Sequence, residues 1–504
     1  MSYVVAAPEL LASAATDVQG IAAAVNAANA AAAARTTGLL AAAEDEVSAL
    51  AAAFFNAYAQ EYQAVVKQAG LFESQFTQAL AAASNAYAQA EAANAARVST
   101  ALNSINAPIQ AFLNGAAAPA AVPGGGGAVA LGAPPQSLNL VGNITALIMG
   151  GTNNPKPSSG YINDINTRFI QTLFPGAIPK GLFTPEQFWP VTPDLGNMTF
   201  TQSITKGMQL LDQAVHTELL ANNSVAVFGY SQSASIISNY IESLAAAGFP
   251  NPNDLAFVMV ASGNNPVGGL LARFPGFYIP FLDVSFNGGT LANTPYETHI
   301  YTLQYDGIGH TPQYPLNILS DINAIMGYFF VHGGVTDLTA ADLANAVPLP
   351  TSPGYAGNTS YYMLLTQDLP LLQPIRNIPF AGPVVADIFQ PVLRVMVDLG
   401  YSDYGPTGMY ADISTPAALL NIPNPLTVGY YLLTGSLLGP YGAAVGLGVD
   451  IGLWGPEHFP DVYPWIPSTN PGLNINFGQQ QVTLLSLLSG SLGDALHIIP
   501  PIDW

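Results

Sequence analysis

Two hydrophobic rhythms divide the chain. Over residues 1–97 the background is alanine, and larger apolar side chains punctuate it: Leu50, Phe54, Phe55, Tyr58, Tyr62, Val65, Val66, Leu71, Phe72, Phe76 and Leu80. Their spacings of three and four belong to a helix that buries one stripe. Pro8 suits a first helical position. A helix is therefore expected from there to Arg35, a break at Thr36-Thr37-Gly38, and a second helix or pair of helices from Glu44 to about Ala96. Two long helices joined by a short turn cannot bury both faces, so this all-α hairpin needs a partner helix from another protein or from the rest of the chain.

The second rhythm starts past residues 98–140. There Ala116-Ala117-Ala118-Pro119 and Pro123-Gly124-Gly125-Gly126-Gly127 cannot hold a helix and read as a linker. Continuous apolar runs then replace stripes: Asn143–Met149, Val225–Phe228, Leu255–Ala261 and His299–Tyr305. Helix-compatible stretches fall between them, at Phe200–Leu220, from Ser231 through about Ala247, and at Leu316–Phe330. Buried strands alternating with helices predict an α/β fold with a mostly parallel sheet over residues 141–404. Proline, glycine and aromatic residues dominate from about residue 340, and residues 405–504 are expected to form an extension or a lid.

Composition narrows the function classes. Half of the 504 residues are hydrophobic, mean hydropathy is +0.32, and only 8% of residues are charged. This suggests a peripheral contact with envelope lipid. With 10 basic against 31 acidic residues, the chain is a poor partner for nucleic acid. It has no cysteine, which excludes disulfides, thiolate nucleophiles and sulfur-bound metals. The histidines are scattered without HExxH-type spacing, so no metal or other cofactor is expected. MSYVVAAPELL lacks a basic n-region, and no conventional signal peptide is expected. Leu426–Val449 is uncharged and long enough to span a bilayer, but its six glycines and Pro440 favour a buried or lipid-facing segment.

The candidate chemistry centres on Gly229-Tyr230-Ser231-Gln232-Ser233, set between an apolar strand and a helix. A strand, a tight turn with Gly-x-Ser-x-small and a helix form a nucleophile elbow, which makes Ser231 the expected nucleophile. Ser233 stands where glycine is commoner. In this arrangement acid and then base follow the serine in chain order, which disfavours His216. His299 opens a strand that should precede the acid. Asp306 lies just past that strand, at the sheet edge where active sites form. His332 follows a helix and precedes Gly333-Gly334, and is favoured as base; His310, four residues after Asp306, stays open as the alternative, with His458 and His497 further on. Asp321 and Asp283 are secondary acids. The oxyanion donors are expected to be the Gln232 N–H and a second N–H from Gly150-Gly151-Thr152. The expected chemistry is attack of Ser231 on an acyl carbonyl, with His332 taking its proton and Asp306 orienting the imidazolium.

The assembled pattern resembles a known combination. Pro8-Glu9, the alanine-rich hairpin and Tyr87-Ala88-Gln89-Ala90-Glu91 look like a mycobacterial PE domain with its Tyr-x-x-x-Asp/Glu secretion signal. Gly150-Gly151-Thr152, Gly229–Ser233, Tyr305-Asp306-Gly307 and Val331-His332-Gly333 resemble a PE-PPE domain, an α/β serine hydrolase module related to cutinases and lipases. The resemblance implies an α/β-hydrolase-type sheet behind the helical hairpin, with Ser231, Asp306 and His332 as triad. It implies export by a type VII system to the cell envelope, surface or medium, with Tyr87 and Glu91 as signal and a PPE-type helical partner or secretion chaperone on residues 1–97. It also implies esterase or lipase activity on short- to medium-chain acyl esters. The alternatives are acyl transfer to envelope glycolipids and a non-catalytic surface role. Gly309-His310 departs from the expected family pattern.

Overall fold

The computed structural model describes residues 8–40, isolated positions between 43 and 67, residue 140, and residues 142–405, 408–476 and 478–497. It divides into two compact units, Met1–Ala130 and Leu131–Trp504. In the first, helix α1 spans Pro8–Thr37. It runs through the expected break, with the Thr36 and Thr37 hydroxyls donating to the Ala32 and Ala33 carbonyls at 3.0 and 2.8 Å in its last turn. The chain bends only at Gly38. Within the expected second helix, the described positions 52, 53, 56, 59, 60, 63 and 67 are helical, while its apolar stripe, Tyr87, Glu91 and the linker up to residue 139 lie outside the described residues.

The second unit is a seven-stranded sheet. Its strands are β1 (Ile144–Ile148), β2 (Ile178–Gly181), β3 (Ser224–Tyr230), β4 (Leu255–Val260), β5 (Glu297–Leu303), β6 (Val347–Pro348) and β7 (Thr359–Leu364). The spatial order is β2-β1-β3-β4-β5-β7-β6, parallel except for the β6–β7 pair. β3 and β4 are buried along almost their whole length, which is why they read as unbroken apolar runs. β5 begins at Glu297, so His299 sits inside the strand rather than opening it.

Helices cover both faces. Ser159–Ile165 (α2) follows β1, Phe200–Leu220 (α3) precedes β3, and Gln232–Ala246 (α4) leaves Ser231 directly. A capping box between Thr199 and Gln202 starts α3. Ile318–Phe330 (α5) lies between β5 and β6. It turns Ile318, Ile325 and Phe329 to solvent while Ala324 and Gly327 face inward.

The last third is more ordered than its Gly/Pro-rich sequence suggests. Helices α6 (Ala381–Asp398), α7 (Pro425–Asp450) and α8 (Leu484–Leu496) belong to the same compact unit. α7 is long and apolar enough to cross a membrane, and a third of its most apolar stretch is buried inside the protein. Trp465 is buried and stacks on Phe459 with ring centroids 5.7 Å apart, while Trp454 is exposed.

Candidate active site

The sequence forces an unusual backbone at the end of β3. Ser231 has φ 56° and ψ −116°, a region that a non-glycine residue occupies only when its surroundings hold it there. Four hydrogen bonds do so. The Ser231 N–H donates to the Val260 carbonyl at 3.1 Å, and its own carbonyl accepts from Ala234 N at 3.1 Å. The Ser233 hydroxyl accepts from Tyr230 N–H at 2.8 Å and donates to Tyr230 O at 3.1 Å. Glycine is required at 229, since a Cβ there would lie 2.7 Å from the Ser233 carbonyl oxygen and 2.7 Å from Ile237 Cδ1.

Three side chains from separate segments meet at this turn. Ser231 Oγ is 2.8 Å from His332 Nε2, and His332 Nδ1 is 2.8 Å from Asp306 Oδ1. A carboxylate only accepts, so Nδ1 carries the imidazole proton and Nε2 is left to accept from the serine. Asp306 is fully buried just past β5, and its Oδ1 also accepts from the Ile308 N–H at 2.9 Å. His332 sits in the 3-10 turn His332–Thr336 after α5. Its ring lies between Tyr230 and Tyr328, at centroid distances of 5.4 and 5.7 Å.

The other candidates are placed elsewhere. His310 is buried beneath the Asp306 loop, where its Nδ1 accepts from the Tyr305 N–H at 3.1 Å and its ring stacks on Tyr401 at 4.6 Å. Burial, with Arg273 adding to it, pushes His310 down to about 3, so it is a neutral core residue. His216 is exposed beside Asp212, His299 pairs with Glu297, and His458 lies beside Glu457. His497 stacks on Tyr278. Asp283 accepts from Thr199 Oγ1 and Tyr278 Oη at 2.5 and 2.9 Å and so ties down the start of α3. Asp321 lies inside α5, and burial raises it to about 6.

The expected oxyanion residues adjoin the serine. Gln232 is the first residue of α4, so its N–H has no intrahelical acceptor. Its side chain is a three-way tie: Oε1 accepts from Thr152 Oγ1 at 2.8 Å, and Nε2 donates to Gln187 O at 2.9 Å and to Ser203 Oγ at 3.0 Å. Gly151 is packed so closely that a Cβ would lie 2.8 Å from the Tyr230 ring. Gln187 and Ser203 carry no sequence motif that would have marked them.

A buried polar network backs the acid. Tyr305 Oη and Tyr463 Oη donate to the two oxygens of Asp398 at 2.7 and 2.9 Å. Arg394 donates to the Thr366, Gln367 and Pro464 carbonyls. Burial raises Asp398 to about 6 against the opposing pull of Arg394. The loop beneath Asp306 is thereby bonded to α6 and to the segment around residue 464.

Among the described residues no group of three or more His, Cys, Asp or Glu side chains could hold a metal ion. A parallel sheet with a strained strand–serine–helix turn and a Ser–His–Asp chain at its edge defines an α/β-hydrolase fold. The comparisons make the assignment specific. The PE family model matches residues 4–94 and the PE-PPE domain model residues 175–402. PE family protein PE3 of Mycobacterium tuberculosis is 51% identical over 506 residues, covering 100% of both chains. Esterase PE16 of the same species is 40% identical over 425 residues, 84% of this chain and 73% of the relative. A cutinase-like protein from Cryptococcus sp. aligns over 34% of this chain and 80% of its own, with 18% identity and a TM-score of 0.24. The chain belongs to the PE family and carries a PE-PPE domain.

Proposed function

We propose that the chain is an exported serine ester hydrolase acting on short- to medium-chain acyl esters. The observation that carries this reading is the unbroken Ser231–His332–Asp306 chain, with both links at 2.8 Å, at a serine held in a strained turn. The likeness to a relative named an esterase supports it.

In this reading Ser231 Oγ attacks the ester carbonyl while His332 Nε2 takes its proton. Asp306 holds the imidazole tautomer and stabilises the imidazolium. The tetrahedral oxyanion is met by the Gln232 N–H and by a second N–H from the Gly150–Thr152 loop. Collapse breaks the ester bond, and His332 returns the proton to the leaving alkoxide. Water, deprotonated by His332, then attacks the acyl-serine, releasing the acid and restoring the hydroxyl. An acceptor alcohol in place of water would make the same acyl-enzyme a transacylase. Residues 1–97, including Tyr87 and Glu91, serve in this account as the type VII export module that pairs with a PPE-type partner; the PE match at residues 4–94 supports that part.

The test is release of p-nitrophenol from a series of p-nitrophenyl acyl esters, with and without glycerol or trehalose. Turnover is expected in the full chain and not in His332→Ala, with free acid as the product when no alcohol is added. Undiminished turnover by His332→Ala would sink the reading. Acyl alcohols as the main product would move it to acyl transfer.

A further inference from the structure

Beside the Gly150–Thr152 loop lies a buried carboxyl group that the triad does not use. Glu186 has φ 48° and no solvent exposure. Its Oε1 accepts from Thr184 Oγ1 at 2.6 Å, and its Oε2 is buried with no hydrogen-bond partner among the described residues. No ion pair involves it among the described residues.

The backbone around Glu186 is a strap laid along the loop. Leu182 N–H donates to the Ile148 carbonyl at 2.9 Å, Thr184 N–H to Pro155 O at 3.2 Å, and Asn153 N–H to Glu186 O at 2.9 Å. One residue on, the Gln187 carbonyl accepts from Gln232 Nε2 at 2.9 Å, and the Gln187 N–H donates to Ser203 Oγ at 3.0 Å. The strap thus grips the loop on one side and, through Gln232, the start of α4 on the other. The two expected oxyanion donors are held at a fixed separation by residues 182–187. A positive φ in the middle of the strap persists only if the Glu186 side chain is pinned in its pocket.

We propose that Glu186 is a positioning residue, whose buried side chain locks the residue 182–187 strap against the Gly150–Asn154 loop and so sets the second oxyanion donor relative to Ser231. This rests on the serine hydrolase reading. Glu186 performs the task as a neutral acid, because an ionised carboxylate buried in that pocket would have no countercharge to offset its desolvation. Burial pushes its carboxyl up to about 8. The titratable side chain facing it from α2 is Tyr161, whose hydroxyl donates to Met149 O at 3.3 Å and is itself pushed up, first by burial and then by Glu186. Tyr230 on β3 lies next beyond Tyr161. Both are neutral across the working range and offer no compensating charge. Ionisation of Glu186 therefore loosens the strap, and with it the loop.

The test compares the full chain with Glu186→Gln and Glu186→Ala on a p-nitrophenyl ester from pH 5 to 9. A lost oxyanion donor costs about 100- to 1,000-fold in kcat, so a displaced one is expected to cost about 10-fold. Glu186→Ala should lower kcat by about that factor with KM little changed. Glu186→Gln, a neutral isostere, should restore kcat at pH 6 and lack the decline the natural protein shows as pH rises through about 8. Unchanged kcat in Glu186→Ala, or equal losses in both variants at pH 6, would overturn the proposal. A second readout does not need activity. A raised folded pKa gives stability that is complete below the unfolded value near 4.5 and is lost as pH rises towards 8. The Tm of Glu186→Gln should thus gain on that of the natural protein between pH 5 and 8, and a flat difference contradicts the neutral clamp. If the natural protein turns over no ester, the serine hydrolase reading has failed, and the Tm comparison still decides the clamp.

Discussion

Tyr230, the residue immediately ahead of Ser231, donates a hydrogen bond from Oη to the backbone carbonyl of His332 at 2.5 Å. One residue of the turn thereby fixes where His332 stands, and its ring packs against the same imidazole. Burial, then Asp306, pushes the Tyr230 hydroxyl far up, so it stays a donor at any working pH. Tyr230→Phe keeps the ring and removes that bond, worth on the order of 1 kcal/mol. The expected result is a several-fold lower kcat with KM near its natural value. A steady-state comparison on one ester at fixed pH checks it, and an unchanged kcat would show that His332 is held by other contacts.

Ser233 replaces the usual small glycine with a hydroxyl that bonds both ways to Tyr230. Ser233→Gly should therefore fold and turn over ester, with stability lower by about 1 kcal/mol. Ser233→Val, which loses the same bonds and also forces two methyl groups into a fully buried site, should cost on the order of 2–3 kcal/mol. Chemical denaturation of the two variants beside the natural protein measures this; a Ser233→Gly variant as stable as the natural protein would mean that the hydroxyl does nothing for the turn.

His310 separates structure from chemistry. It is neutral in the folded protein with a value of about 3, against an ordinary 6.5. A depressed folded value means that its stability is complete above about pH 6.5 and is lost as pH falls towards 3, where the unfolded chain binds the proton first. His310→Gln should flatten the acid side of the Tm profile between pH 6.5 and 4. His310→Ala should cost on the order of 2–4 kcal/mol, since it orphans the Tyr305 N–H and opens a cavity against Tyr401. Turnover per folded molecule should survive in the variants that fold. Complete loss of turnover in well-folded His310→Gln would restore this residue as a catalytic candidate.

Asp306→Asn tests the acid directly. An amide facing Nδ1 favours the wrong tautomer, and the corresponding change in the Ser-His-Asp template costs about 10⁴ in kcat. The same order of loss is expected, with Ser231 still in place.

These predictions rest on features of unequal legibility. The strands β3 and β4 were readable because buried parallel strands are nearly unbroken apolar runs, and β1 and β5 because they carry shorter apolar runs of the same kind. The placing of Ser231, Asp306 and His332 in one bonded chain followed from their positions at strand and helix ends. The second helix of the first unit had an equally clear stripe; positions between 52 and 67 that are described are helical, but the stripe itself lies outside the described residues. The strap was not readable, since Thr184, Glu186 and Gln187 sit in a stretch with no period. Only the fold brings them to Gln232, Ser203 and Asn153. Helices α6 and α7 were obscured by their own packing. Pro391 and Pro440 look like breakers, and glycines that read as loops are contact points: a Cβ at Gly439 would strike the Ile388 carbonyl of α6. Helices that cross this closely need glycine, which the sequence presents as flexibility.

The central claim is that Ser231 is an activated nucleophile. Its most direct measurement is the intact mass of the full chain after exposure to a fluorophosphonate, followed by peptide mapping, beside Ser231→Ala and His332→Ala. The account predicts one phosphonyl adduct, mapped to Ser231, absent in Ser231→Ala and strongly slowed in His332→Ala. A folded natural protein that takes up no adduct, or takes it up elsewhere at an undiminished rate in Ser231→Ala, would contradict it.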